Sequence, residues 1–200
     1  MPHVNSSRRV PLLWLFSLDS SSQPISRLEE KWAAQLPAKR SQQFRYSRGF
    51  VRFALAQLFN AHPLEIPLDA PPGQPPKLAN GWGYLSFSHC SDSLLVGWGS
   101  TRIGVDIERS DRSFAARALT CRHFSIKEKA SVANLYGENF RVAVLNHWLV
   151  KEAAIKWQNG NIALDIAQWL CNDDEQFAYH KLMGYHIRIH TLEIREWRIA

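Results

Sequence analysis

His147-Trp148-Leu149-Val150-Lys151-Glu152-Ala153-Ala154-Ile155-Lys156-Trp157 reads as the later half of a helix. The helix is predicted to start near Arg141 and to stop before Gly160, a residue type suited to the position just past a helix end. Val142 to Trp157 is mostly apolar and free of Pro and Gly, so the helix is expected to be buried on most sides. Three charges nevertheless sit in its last two turns. At about 100° per residue, Glu152 and Lys156 share a face and Lys151 lies about 100° away. One or two turns earlier that face carries Val144, Leu145 and Trp148, so it is not a polar stripe along the whole helix. Read alone, Glu152 and Lys156 make an ordinary i,i+4 ion pair worth about 0.3–0.5 kcal/mol.

Working outward, 200 residues make one domain or two small halves sharing a core, and 46% hydrophobic residues, with eight Trp and ten Phe, supply that core and exclude a disordered chain. The net charge of +6 favours an anionic partner: nucleic acid, a phosphorylated small molecule or an acidic protein. Cys90, Cys121 and Cys171 are too few and too scattered for a disulfide framework or a zinc site, which points to a reducing compartment. Arg8-Arg9 before Leu12–Phe16 is better read as the approach to a first strand, Leu12 to Leu18, than as an export signal. No segment is long enough to span a membrane, and a cytoplasmic protein is expected.

A helix from Ser26 to Leu36 is predicted next, then a basic amphipathic helix through Lys39, Arg40, Arg45, Arg48 and Arg52. Its guanidinium groups form either a solvated face or an anion site. The Pro-rich stretch 63–83 reads as an irregular loop, and its middle, Pro71 to Lys77, is either mere punctuation or a stiff segment that wraps a ligand. Strands are predicted at Tyr84–Phe87, running into Ser88-His89, and at Leu94–Trp98 and Ile103–Glu108. A short helix is expected over Phe114–Cys121. A capping box, Ser125 to Glu128, opens another helix ending near Gly137. Arg112, Arg117, Arg122, Lys127 and Lys129 make this region basic, either as a solvated face or as a docking surface for an acidic partner. Asn172-Asp173-Asp174-Glu175 reads as a hairpin loop, Tyr185–His190 as a strand and Thr191–Ile199 as a β-rich tail. No internal repeat is visible at the level of residue identity.

Gly104-Val105-Asp106-Ile107-Glu108 changes the weight given to the central helix. In a strand Asp106 and Glu108 share a side, about 6.5–7 Å apart, where they can converge on one hard cation. Adding Glu152 gives three oxygen ligands suited to Mg²⁺, with Lys151, Lys156 and His89 as phosphate partners.

Gly-Val-Asp-Ile-Glu (104–108) followed about forty residues later by Trp-Leu-Val-Lys-Glu-Ala-Ala-Ile-Lys (148–156) resembles the 4′-phosphopantetheinyl transferases, specifically the larger Sfp-like class. Its G-[IV]-D-[IV]-E and W-x-x-K-E-[AS]-x-x-K signatures are both met in full. Ser88-His89, Phe124-Ser125 with Glu128, and Ser47-Arg48 with Arg52 and Leu55 extend the likeness. The family's G-K-P loop is present only as Gly73-Gln74-Pro75, with Lys77 displaced.

The resemblance implies an α+β fold of two similar halves, 1–101 and 102–200, related by a pseudo-twofold. Each half is a small antiparallel sheet on a long helix, and the active site lies between them. It implies transfer of the phosphopantetheine arm of coenzyme A to a serine of an acidic acyl or peptidyl carrier protein by a monomer. Mg²⁺ would sit on Asp106, Glu108 and Glu152, with Glu152 as base and Lys156 and His89 at the diphosphate. Lys39 or Arg40, with Arg48, would take the 3′-phosphate, and Gly73, Ser88 and Lys151 would complete the coenzyme A site. The rival readings are a basic nucleic-acid-binding module and a catalytically inactive relative.

Overall fold

The structure, a computed structural model, describes residues 10–172, 176–194 and 196–200. It is α+β, with small antiparallel sheets and helices, as the sequence predicts. The chain divides into two compact units, Met1–Ile103 and Gly104–Ala200. No helix among the described residues is long and apolar enough to cross a membrane.

The first unit pairs β1 (Leu12–Ser17), β5 (Ser93–Gly99) and β4 (Tyr84–His89) in the order β1-β5-β4, all antiparallel. Side chains alternate along β1: Leu12, Trp14 and Phe16 pack on the core while Leu13 is exposed. The core also takes Phe50, Val51, Ala54 and Leu55 from α2 (Ala38–Phe59). Ahead of α2 lies α1 (Arg27–Ala34), opened by a capping box in which the backbone N–H of Ser26 donates to the Glu29 carboxylate and that of Glu29 donates to the Ser26 hydroxyl. The stretch read as an irregular loop holds a 3₁₀ turn, Pro63–Glu65, and a two-strand pair, β2 (Leu68–Asp69) with β3 (Lys77–Leu78).

The second unit places β10 (Leu192–Ile194), β11 (Trp197–Ile199) and β6 (Ile107–Arg109) in one sheet, and β7 (Trp169–Asn172), β8 (Phe177–His180) and β9 (His186–Arg188) in another. Its helices are α3 (Ala116–His123), α4 (Ile126–Val132), α5 (Gly137–Gln158) and α6 (Ile162–Asp165). The core of this unit joins Val150, Ala154 and Ile155 of α5 to Trp169, Cys171 and Ala178 of the second sheet.

Several boundaries differ from the sequence reading. The central helix starts at Gly137, a turn before Arg141, because Glu138 and Arg141 pair across its polar first turn, which carries no apolar period. It stops before Gly160, as read from the sequence, but the residue in the left-handed region is Asn159, φ 59°, and not Gly160; Asn is among the few residues with a side chain that tolerate that geometry. The helix from Ser125 stops at Val132 and not near Gly137. The strand predicted over Ile103–Glu108 is β6 alone, although Asp106 still exchanges backbone hydrogen bonds with Ala200 at 2.7 and 3.1 Å. Of the hairpin loop expected at Asn172–Glu175, residues 173–175 lie outside the described residues, but the strands on either side pair antiparallel.

The two units share an internal pattern. Both long helices have 22 residues, and each ends on an Asn in the left-handed region, Asn60 and Asn159. In each, the capping-box glutamate of the preceding helix is buried and pairs with a basic residue of the long helix. Glu29 meets Arg52 at 2.8 Å, and Glu128 meets Lys151 at 2.9 Å. The same sequence interval separates Ser26 from Ser125, Glu29 from Glu128, Arg52 from Lys151 and Asn60 from Asn159.

Candidate active site

Gly104 brings the two signature segments of the second unit together. A Cβ on Gly104 would lie 2.0 Å from the Ala153 carbonyl oxygen and 2.5 Å from the Trp157 nitrogen, both backbone atoms of α5. Only a residue without a side chain lets the chain pass so close to the helix. Two residues on, Asp106 is buried, and its Oδ1 accepts from Lys156 Nζ at 2.6 Å. Glu152, one turn before Lys156, is hydrogen-bonded to Asp106 and feels the charge of Glu108. Of the six groups expected to act together, Asp106, Glu108, Glu152 and Lys156 therefore form one cluster.

The electrostatics of the cluster follow from its crowding. Burial, then the adjacent Asp106 charge and hydrogen bond, push the Glu152 carboxyl from 4.5 up to about 9 against the pull of Lys156. Burial also raises Glu108, where Asp106 adds to the rise and Arg112 and Lys156 oppose it. Three carboxylates held together in a partly buried place are favoured by a cation. All their donors are hard oxygens, with no thiolate or imidazole among them, so the set fits Mg²⁺.

Lys151 is placed differently from its neighbours. It is fully buried, and its ammonium meets both Glu128 oxygens, at 2.9 and 3.1 Å, and the Trp169 carbonyl. This is an interior lock between α4, α5 and β7, and it leaves Lys151 out of reach of a phosphate. Burial works against the charge on Glu128, but Lys151 and the N–H groups of Cys171 and Ser125 outweigh it and hold the carboxyl below its ordinary value. Glu128, His147 and Cys171 bring possible metal-ligating atoms within 4.8 Å of one another. There, however, the Lys151 ammonium already occupies the place of a cation.

In the first unit, Arg48 is also built into the interior. Its guanidinium donates twice to the Ala70 carbonyl, at 2.9 and 2.8 Å, and lies against the rings of Phe44 and Phe87. Burial lowers its pKa to about 10, with Glu29 opposing. Arg48 thus ties the Pro-rich stretch to α2 and does not stand open for an anion. Lys39 and Arg40 are exposed in the first turn of α2. Gly73 takes φ 74° on an exposed loop with open space around it. Ser88 is buried and His89 half-buried at the end of β4, opposite Leu95 and Leu94.

Two features of the site escaped the sequence reading. Arg112, taken only as part of a basic surface, makes an ion pair with Glu108. Glu128, read as a helix cap and as part of the family likeness, also holds α5. No curated protein matches the chain. Residues 102–200, the segment that contains the whole carboxylate–lysine cluster, match the family model of the 4′-phosphopantetheinyl transferase superfamily.

Proposed function

We propose that the protein is a 4′-phosphopantetheinyl transferase of the Sfp-like class, moving the arm of coenzyme A onto a serine of an apo acyl or peptidyl carrier protein. The observation that carries this reading is the meeting of Asp106, Glu108, Glu152 and Lys156 in one cluster within the segment that matches the family. Asp106, Glu108 and Glu152 hold Mg²⁺, which when bound supplies charge neutralisation at the diphosphate. Lys156 and His89 hold diphosphate oxygens. Glu152 takes the proton of the carrier serine as its oxygen bonds to the pantetheine-side phosphorus. The bridging phosphorus–oxygen bond breaks, and adenosine 3′,5′-bisphosphate leaves. Lys39 and Arg40, exposed near the start of α2, take the 3′-phosphate.

The exposed bases of α3 and α4, Arg117, Arg122, Lys127 and Lys129, receive the acidic carrier. The repeated helix–glutamate–base pattern supports reading the two units as two copies of one ancestral half, joined in a monomer.

The test is mass spectrometry on a panel of apo carriers incubated with the protein, coenzyme A and Mg²⁺. The expected result is one carrier gaining the mass of the arm. Asp106→Asn and Glu152→Gln should each lower the rate by about 10²-fold or more, as removal of a general base or of transition-state charge stabilisation does. No mass gain on any carrier, or transfer at the wild-type rate by either variant, would overturn the proposal.

A further inference from the structure

We infer that Arg112 is the resident counterion of Glu108, competing with the divalent cation for that carboxylate and thereby setting the cation affinity of the site. The inference rests on the ligand set proposed above. Lys156 and Arg112 both pair with the carboxylate cluster, and they differ in depth. Lys156 Nζ sits 2.6 Å from Asp106, whose carboxyl is buried, while Arg112 holds Glu108 from the outside, with its own side chain 41% exposed.

The link that carries Arg112 is pinned in place, so the pair is not a chance meeting of two long side chains. Arg141 donates to the Arg112 carbonyl at 2.9 Å and also to the Ser110 carbonyl. Arg109 is fixed between Asp111 at 2.7 Å and Glu196 at 3.1 Å. Arg112 also lies 6.0 Å from the centre of the Phe114 ring. With its backbone fixed and its head group at the edge, Arg112 can leave Glu108 at little cost, whereas Lys156 cannot leave Asp106 without uncovering a buried charge.

A divalent ion arriving at Glu108 meets a positive charge already there, and it must displace that charge or bind beside it. Either course weakens binding. An arginine here is therefore a restraint on metal loading, and the restraint is electrostatic.

The experiment is a Mn²⁺ titration of the full chain, followed by the electron paramagnetic resonance of the free ion, without coenzyme A or carrier. Arg112→Gln should bind Mn²⁺ about three- to tenfold more tightly than wild type at low salt. The gain should shrink in about 1 M KCl, where the screening length is about 3 Å. Arg112→Lys, which keeps the charge, and Arg117→Gln, which removes a charge lying over Phe140, should both titrate like wild type. Unchanged or weaker binding by Arg112→Gln, or an equal gain in Arg117→Gln, would overturn the inference. Glu108→Gln separates the two levels. If it weakens Mn²⁺ binding while Arg112→Gln does nothing, only the role of Arg112 falls. If Glu108→Gln binds like wild type, the ion is not held at this carboxylate, and the ligand set and the inference fall together.

Discussion

Glu152 carries most of the consequences at the scale of single residues. With its folded-state pKa raised from 4.5 to about 9, the carboxyl is mainly protonated near neutrality when no cation is bound. An unfolded chain would hold that carboxyl ionised above about pH 4.5. The native state therefore binds the extra proton, and its advantage is complete below about pH 4.5 and lost as pH rises through about 9. Thermal melting of the metal-free protein across that window should show wild type losing stability with rising pH relative to Glu152→Gln. Parallel curves would mean that the carboxyl is not held protonated. Asp106 and Glu108 were legible as a pair from the alternation of Gly104–Glu108, and Glu152 from an acid placed on an otherwise apolar helix. The pair between Arg112 and Glu108 was not, because four residues of irregular link fix no direction for either side chain. Only the hydrogen bonds of Arg141 and Arg109 do so.

Helices and strands show which parts of the sequence speak locally. The long helices α2 and α5 were readable because an apolar period over several turns has one structural meaning. The polar first turn of α5 and the four-residue α6 have no such period, and neither start was legible. The capping box at Ser125 advertised the start of α4, but nothing local shows that Glu29 and Glu128 also reach basic residues on the next helix, each 23 residues further along the chain. These pairs should matter to stability. Lys151→Met leaves the Glu128 charge buried and should cost about 3–5 kcal/mol in urea unfolding, while Glu128→Leu with Lys151→Met should recover most of it. A single variant as stable as wild type would show that the pair is not closed in solution. Gly104 is the other element-level constraint. Gly104→Ala forces Asp106 and Glu108 away from α5 and should cost about 1–3 kcal/mol by overpacking. It should also weaken Mn²⁺ binding, and unaltered stability and binding would show that the contact with α5 can relax.

For the whole molecule, the positive balance of +6 acquires a place once the fold is known. Arg117, Arg122, Lys127 and Lys129 are all exposed on two consecutive short helices, while Arg48, Arg52 and Lys151 spend their charges inside. Charge reversal at Arg117 and Arg122 should therefore raise KM for an acidic carrier and leave KM for coenzyme A unchanged. Equal rises for both substrates would remove the docking role. A last consequence comes from the adjacency of Lys151 and Glu152. Swivelling α5 to re-aim Glu152 would drag an ammonium with no solvent contact out of a sealed interior. The helix is thereby stationary beside the carboxylate cluster, and any accommodation to an arriving ion falls to the exposed head group of Arg112.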